Sequence, residues 1–188
     1  MTKIQDWQEE RALWIRVLEQ NTGEGVEPWN RRILNEGLSD EQSLRAWLTQ
    51  QGVTGYAQNL LVMERFGYPD FVTASADQLI EGQYADRPQL RPIYDAIIKA
   101  VSQFGEVIIQ TRKTYVSLVA PGRTFARVVP TTKSRVDLGL RLDGQQPTGR
   151  LQPSTIHETM QLQISLHSVD EVDAEVLNWL RRAYDENA

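Results

Sequence analysis

Cysteine is missing from all 188 residues of this chain. That removes disulfides, thiolate nucleophiles and thiolate metal sites together. Histidine is nearly missing too. His157 and His167 stand ten residues apart, neither in a helical metal-ligand spacing, and His157-Glu158 lacks the second histidine of a zincin pattern. Both read as surface residues. No apolar run approaches the roughly 20 residues of a bilayer-spanning helix, so no membrane partner is expected. The opening stretch MTKIQDWQEERALW is charged throughout and lacks the apolar centre of a signal peptide, which predicts a cytoplasmic protein. No glycine loop for phosphates and no G-x-S-x-G elbow is present. The carboxylate pairs Glu9-Glu10, Asp40-Glu41 and Asp170-Glu171 fall at helix starts or on solvated faces, where the helix dipole favours them. No cofactor, metal or catalytic residue is therefore predicted, and the balance leans against an enzyme.

Charge is present but segregated. The net charge of −5 hides a window, 112–150, with eight Lys/Arg against two Asp/Glu, while the remainder carries twelve against twenty-three. A balance of +6 set against −11 bears on partners rather than on fold.

The first part reads as short helices with clear punctuation. Trp7, Trp14, Val17 and Leu18 make a helical stripe that Asn21-Thr22-Gly23 ends; Pro28 suits the first turn of a second helix running to Gly37. Ser39 and Gln42 have capping-box spacing for a third helix with Leu44, Trp47 and Leu48. Thr54 can cap a fourth that Gly67 and Pro69 terminate. Trp14, Trp29 and Trp47, one per helix on the apolar stripes, read as core rather than as a ligand cage. A connector follows over 68–87, with a short helix after the Ser75/Gln78 box. Leu90, Ile93, Ile97, Val101 and Phe104 then mark an amphipathic helix closed by Gly105.

Beyond Gly105 the period drops to two. Val116-Leu118-Ala120, Ala126-Val128, Val136-Leu138-Leu140-Leu142 and Met160-Leu162-Ile164-Leu166 each alternate with polar or smaller residues, and Ser168/Glu171 spaces a cap for a last helix through Val176, Leu180 and Tyr184. The predicted fold is α+β. A helical bundle over 1–67 and the connector precede, over 88–188, an antiparallel sheet of about five strands with two helices on one face.

On the other face, alternation presents Lys113, Tyr115 and Ser117, then Arg123, Phe125 and Arg127, then Arg135, Asp137 and Arg141. Arginines interleaved with rings suit a nucleic acid, whose phosphates follow the charge while its bases stack. They equally suit a smaller anion, since guanidinium offers a fixed fork of donors. A structural reading also stands, because exposed strands carry Lys and Arg to discourage edge pairing, and Tyr115 and Phe125 can pack under the acidic helical part. Asp137 between Arg135 and Arg141 reads as an ion-paired carboxylate.

Asn21-Thr22-Gly23, Trp29, Gly37, Trp47-Leu48, Gly52 and Gly55-Tyr56-Ala57 resemble a short helical bacterial family, domain of unknown function 4287. Arg91-Pro92-Ile93-Tyr94, Tyr115-Val116-Ser117-Leu118, Phe125 and Arg135-Val136-Asp137-Leu138-Gly139-Leu140 resemble its frequent companion, domain of unknown function 5655. That likeness continues through Pro147-Thr148-Gly149-Arg150 and Trp179-Leu180-Arg181-Arg182-Ala183-Tyr184. The segment from Gln51 to Tyr56 is shorter than the usual form and lacks its histidines, so no role resting on them carries over. The resemblance implies an intracellular bacterial protein of helical plus α+β construction, and it transfers no catalytic residue.

These features together predict a non-enzymatic binding or interaction protein. Its ligand, an anion or nucleic acid, would meet Lys113, Tyr115, Arg123, Phe125, Arg127, Arg135, Asp137, Arg141 and Arg150. Two alternatives remain open: a protein–protein module, including a homodimer, and an enzyme whose mark would be a concave pocket holding Asp137, Tyr115 and Arg150.

Overall fold

The computed structural model describes residues 2–188, which divide into two compact units. One is Asp6–Ala74; the other joins Thr2–Gln5 to Ser75–Ala188. The first unit is helical, with α1 (Trp7–Thr22), α2 (Val26–Asn35), α3 (Glu41–Gln50), α4 (Gly55–Phe66) and one short turn, α5 (Asp70–Thr73). Its caps follow from local chemistry. Asp6 accepts from the Glu9 N–H at 2.8 Å, and Gly23, at φ 75°, takes the left-handed conformation that closes α1. The predicted Ser39/Gln42 box is displaced by one residue: Asp40 caps α3 by accepting from the Ser43 N–H, an ionised acceptor outcompeting a hydroxyl. Trp14, Leu18, Trp29, Ile33, Leu44, Leu48 and Leu61 are buried together, and the Trp29 indole N–H donates to Thr22 Oγ1 at 3.1 Å. Glu64 Oε1 accepts from Arg11 Nε and from the Tyr68 hydroxyl. Burial, with the Glu64 charge beside it, pushes the Tyr68 phenol up to about 12.

The second unit is the α+β body. It contains β1 (Thr2–Gln5), α6 (Ala76–Tyr84), α7 (Arg91–Val101), β2 (Val107–Thr111), β3 (Val116–Val119), β4 (Thr124–Thr132), β5 (Arg135–Leu140), β6 (Gln152–His157), β7 (Met160–Leu166) and α8 (Ala174–Asp185). The Ser75/Gln78 capping box at α6 forms as its spacing predicts. The Ser168/Glu171 pair does not start α8. It lies on a single 3₁₀ turn, Glu171 accepts from the His167 N–H, and Asp173 caps the helix instead.

The sheet has seven strands rather than about five, in the order β1-β2-β3-β4-β5-β7-β6. It is mixed rather than antiparallel, because β1 runs parallel to β2 with Thr2 opposite Val107. Two of the additional strands have clear reasons to escape a periodicity reading. A four-residue β1 is too short to show a period, and its partner lies about a hundred residues on. A polar β6 containing Pro153 sits at the sheet edge, where a missing N–H costs nothing. Register places Ile109, Leu118, Ala126, Leu140 and Leu162 in one row across the sheet. That row is fully or nearly buried and joins Ile80 and Tyr84 of α6, Ile93 and Ile97 of α7, and Val176 and Leu180 of α8 in one core. Among the described residues no helix is long and apolar enough to cross a membrane.

One expected surface residue is core. Leu118 pairs with Ala126 but Val119 pairs with Thr124, leaving Phe125 as the extra residue of a bulge, which breaks the alternation. Its ring is fully buried and meets Tyr184 of α8 edge-on at 5.5 Å. Phe125→Ala is therefore expected to cost about 3–5 kcal/mol in chemical denaturation. Arg123→Ala, which removes only an exposed pair with Asp143, is expected to cost less than about 1 kcal/mol. Equal costs would mean that the bulge is misassigned.

Candidate ligand site on the open face of the sheet

The face of the sheet opposite the helices is where alternation sends Tyr115, Arg127, Val129 and Asp137. Register sets Ser117 beside Arg127 and Val129 beside Asp137. Two contacts from the first half of the α+β body hold these positions. Gln83 of α6 donates to the carbonyls of Arg112 at 2.6 Å and Tyr115 at 3.3 Å, fixing the turn that carries Tyr115. Arg87 donates to the carbonyls of Pro130 at 2.5 Å and Thr132 at 3.2 Å, steadying the second bulge of β4, where Pro130 lacks an N–H to lose.

The β6–β7 hairpin turns this face into a concavity. Its register shifts between Pro153 and His157, and Thr155 N–H donates to Gln163 Oε1 at 2.9 Å. Ile156 then comes down onto Gly139 of β5. A Cβ on Gly139 would lie 2.9 Å from Ile156 Cδ1 and 3.2 Å from Met160 Cβ, so any larger residue there makes Ile156 shift. The resulting pocket has a volume of about 480 Å³. Tyr115, Arg127, Val129 and Asp137 line it from the sheet, Thr114 and Thr131 flank them, and Thr155, Ile156 and His157 supply the wall.

The chemistry of this pocket is uneven. The Arg127 guanidinium lies over the Tyr115 ring, 4.8 Å from its centroid, a stacking that desolvates the cation and fixes its plane. Its Nε is buried and has no hydrogen-bond partner among the described residues. A buried donor left unpaired costs about 1–3 kcal/mol, more when it is charged. Asp137 is buried, and Oδ1 accepts from Ser165 Oγ at 2.6 Å and pairs with Arg135 Nε at 3.1 Å. His157 Nδ1 lies 3.2 Å from the Thr159 N–H and 2.9 Å from Thr159 Oγ1, which fixes the ring through its own turn.

Of the nine residues expected at a site, the pocket gathers Tyr115, Arg127 and Asp137. Arg135 is the ion-pair partner of Asp137. Arg141 donates to the Thr159 carbonyl, and burial, followed by the positive charge of Arg123, lowers its pKa. Lys113 is exposed in the turn before Tyr115. Arg123 is held by Asp143 at 2.7 Å. Phe125 belongs to the core. Arg150 clasps the start of α8 through Asp173 at 2.7 Å and the Glu171 carbonyl at 2.9 Å, away from the other site candidates. The pocket wall is what the sequence leaves unread. His157 looks like a bare surface histidine until Gly139, a lone glycine among bulky alternating residues, is taken as a sign of close approach.

Gly139→Val is expected to force Ile156 outward, costing about 1–3 kcal/mol and loosening the β6–β7 hairpin. Hydrogen exchange should show faster exchange of the Thr155 amide. An unchanged amide would mean that Gly139 does not hold the wall.

A family model matches residues 80–187, that of a domain of unknown function, DUF5655. No curated protein and no solved structure matches the chain.

Proposed function

The chain belongs to the DUF5655 family, and from that premise we propose that it is a non-enzymatic binding protein whose open-face pocket takes a small anion. One observation carries the reading: a half-buried arginine, stacked on Tyr115 at a pocket of about 480 Å³, whose Nε has no hydrogen-bond partner among the described residues. A carboxylate or phosphate oxygen supplies an acceptor for the Arg127 guanidinium, whose planar fork of donors suits bidentate contact. The volume lies in the range of small-molecule sites.

A discrete anion fits these residues better than a nucleic-acid strand. Arg123, Arg135 and Arg150 each already hold a carboxylate, which leaves fewer cations to track phosphates. Phe125 is in the core, so Tyr115 is the one expected ring left for stacking. Identification of the helical unit with domain of unknown function 4287, and a cytoplasmic, bacterial setting, belong to the same proposal.

Calorimetric titration with acetate, benzoate, inorganic phosphate and adenosine monophosphate, beside a labelled single-stranded oligonucleotide, tests this. At least one small anion should bind, and Arg127→Gln should weaken it by about 10-fold or more, the loss of a charge-assisted contact. Binding of the oligonucleotide alone, steeply weakened by salt, would replace the small-anion reading with a strand. Equal binding of small anions to wild type and Arg127→Gln would remove Arg127 from the site.

A further inference from the structure

The pocket is not simply basic. Asp137 lines it beside Arg127, and both of its contacts, from Arg135 and from Ser165, fall on Oδ1. Oδ2 accepts no hydrogen bond among the described residues. The lining thus holds one unsatisfied cationic donor and one carboxylate oxygen with spare acceptor capacity. Arg127 and Asp137 are the one guanidinium and the one carboxylate of the lining, and their formal charges cancel. A ligand that is only anionic answers Arg127 but faces the Asp137 charge, and like charges at close range in a partly desolvated site repel. A ligand with an ammonium or N–H beside its anionic group answers both.

Resting on the small-anion reading above, we propose that the ligand is a zwitterion of amino-acid type, its carboxylate on Arg127 and its ammonium on Asp137 Oδ2. Arg135 and Ser165 hold the Asp137 carboxylate in place from the other oxygen, so the acceptor is oriented before the ligand arrives. Tyr115 fixes the plane of the Arg127 fork in the same way. Val129 and Ile156 add apolar surface between polar groups, suited to a short aliphatic or aromatic side chain. The Thr155 hydroxyl and the His157 ring, both in the lining, are further polar groups within the pocket.

The decisive comparison is between matched ligands on the full chain. Calorimetry with common L-amino acids, each paired with the carboxylate that lacks its amine, should find an amino acid binding about 10-fold or more tighter than its deaminated counterpart. Asp137→Asn should shrink that ratio to less than about 3-fold, whereas Arg127→Gln should weaken both members of the pair. Equal or tighter binding of the deaminated acid to wild type, still dependent on Arg127, overturns the zwitterion and leaves the small-anion reading standing. Failure of every amino acid, carboxylate and phosphate to bind overturns both. The wild-type ratio decides the matter even if Asp137→Asn does not fold.

Discussion

The pleat of a β-strand sends successive side chains to opposite faces, and in this chain one face of the sheet must be covered by helix. Burial of that face under α6, α7 and α8 sets the register of β2 to β5 and of β7. A slip of one residue would carry Leu118, Ala126, Leu140 and Leu162 out of the core. The same constraint delivers Arg127 and Asp137 to the other face, on neighbouring strands. Polar groups reach the pocket as the counterpart of apolar groups reaching the core.

Departures from strict alternation shape what that face can do. The bulge at Phe125 moves an aromatic ring into the core against Tyr184. The second bulge, near Pro130, falls where Arg87 grips the β4 carbonyls. Gly139 removes one side chain from the open face and lets the β6–β7 hairpin rise beside it. Without these three irregularities the face would be a flat, basic surface, as alternation alone predicts. With them it holds a pocket lined by an arginine that stacks on Tyr115 and pairs with no carboxylate among the described residues.

How far the sequence could be read follows from the range of each interaction. Helices α1 to α4 and α6 were legible to within about two residues, the cap of α8 falls five residues after the one expected at Ser168, and the period-two runs located β3, β4, β5 and β7. Asp40 and Asp173 shifted two caps, because a carboxylate nearby accepts more strongly than the hydroxyl of Ser39 or Ser168. Arg150 finds Asp173 twenty-three residues away, and β1 pairs with β2 about a hundred residues on. Neither partnership leaves a mark in a local window. Phe125-Ala126, two apolar neighbours inside an alternating run, was the visible sign of a bulge. Gly139 was the visible sign of a close approach. Tyr115, Arg127 and Asp137 were legible as candidates because alternation holds where they sit; His157 was not, because its place depends on how β6 folds over β5.

The account rests on the Arg127 guanidinium as the donor group that awaits a ligand, with its Nε–H as the reporter. Nitrogen–proton correlation spectra of the arginine side chains, recorded while a small carboxylate or amino acid is titrated in, observe that atom directly. A downfield shift and slowed solvent exchange confined to the Nε–H of Arg127, absent in Arg127→Gln, is the predicted result. Binding that leaves this resonance unmoved while other arginines respond would contradict the account.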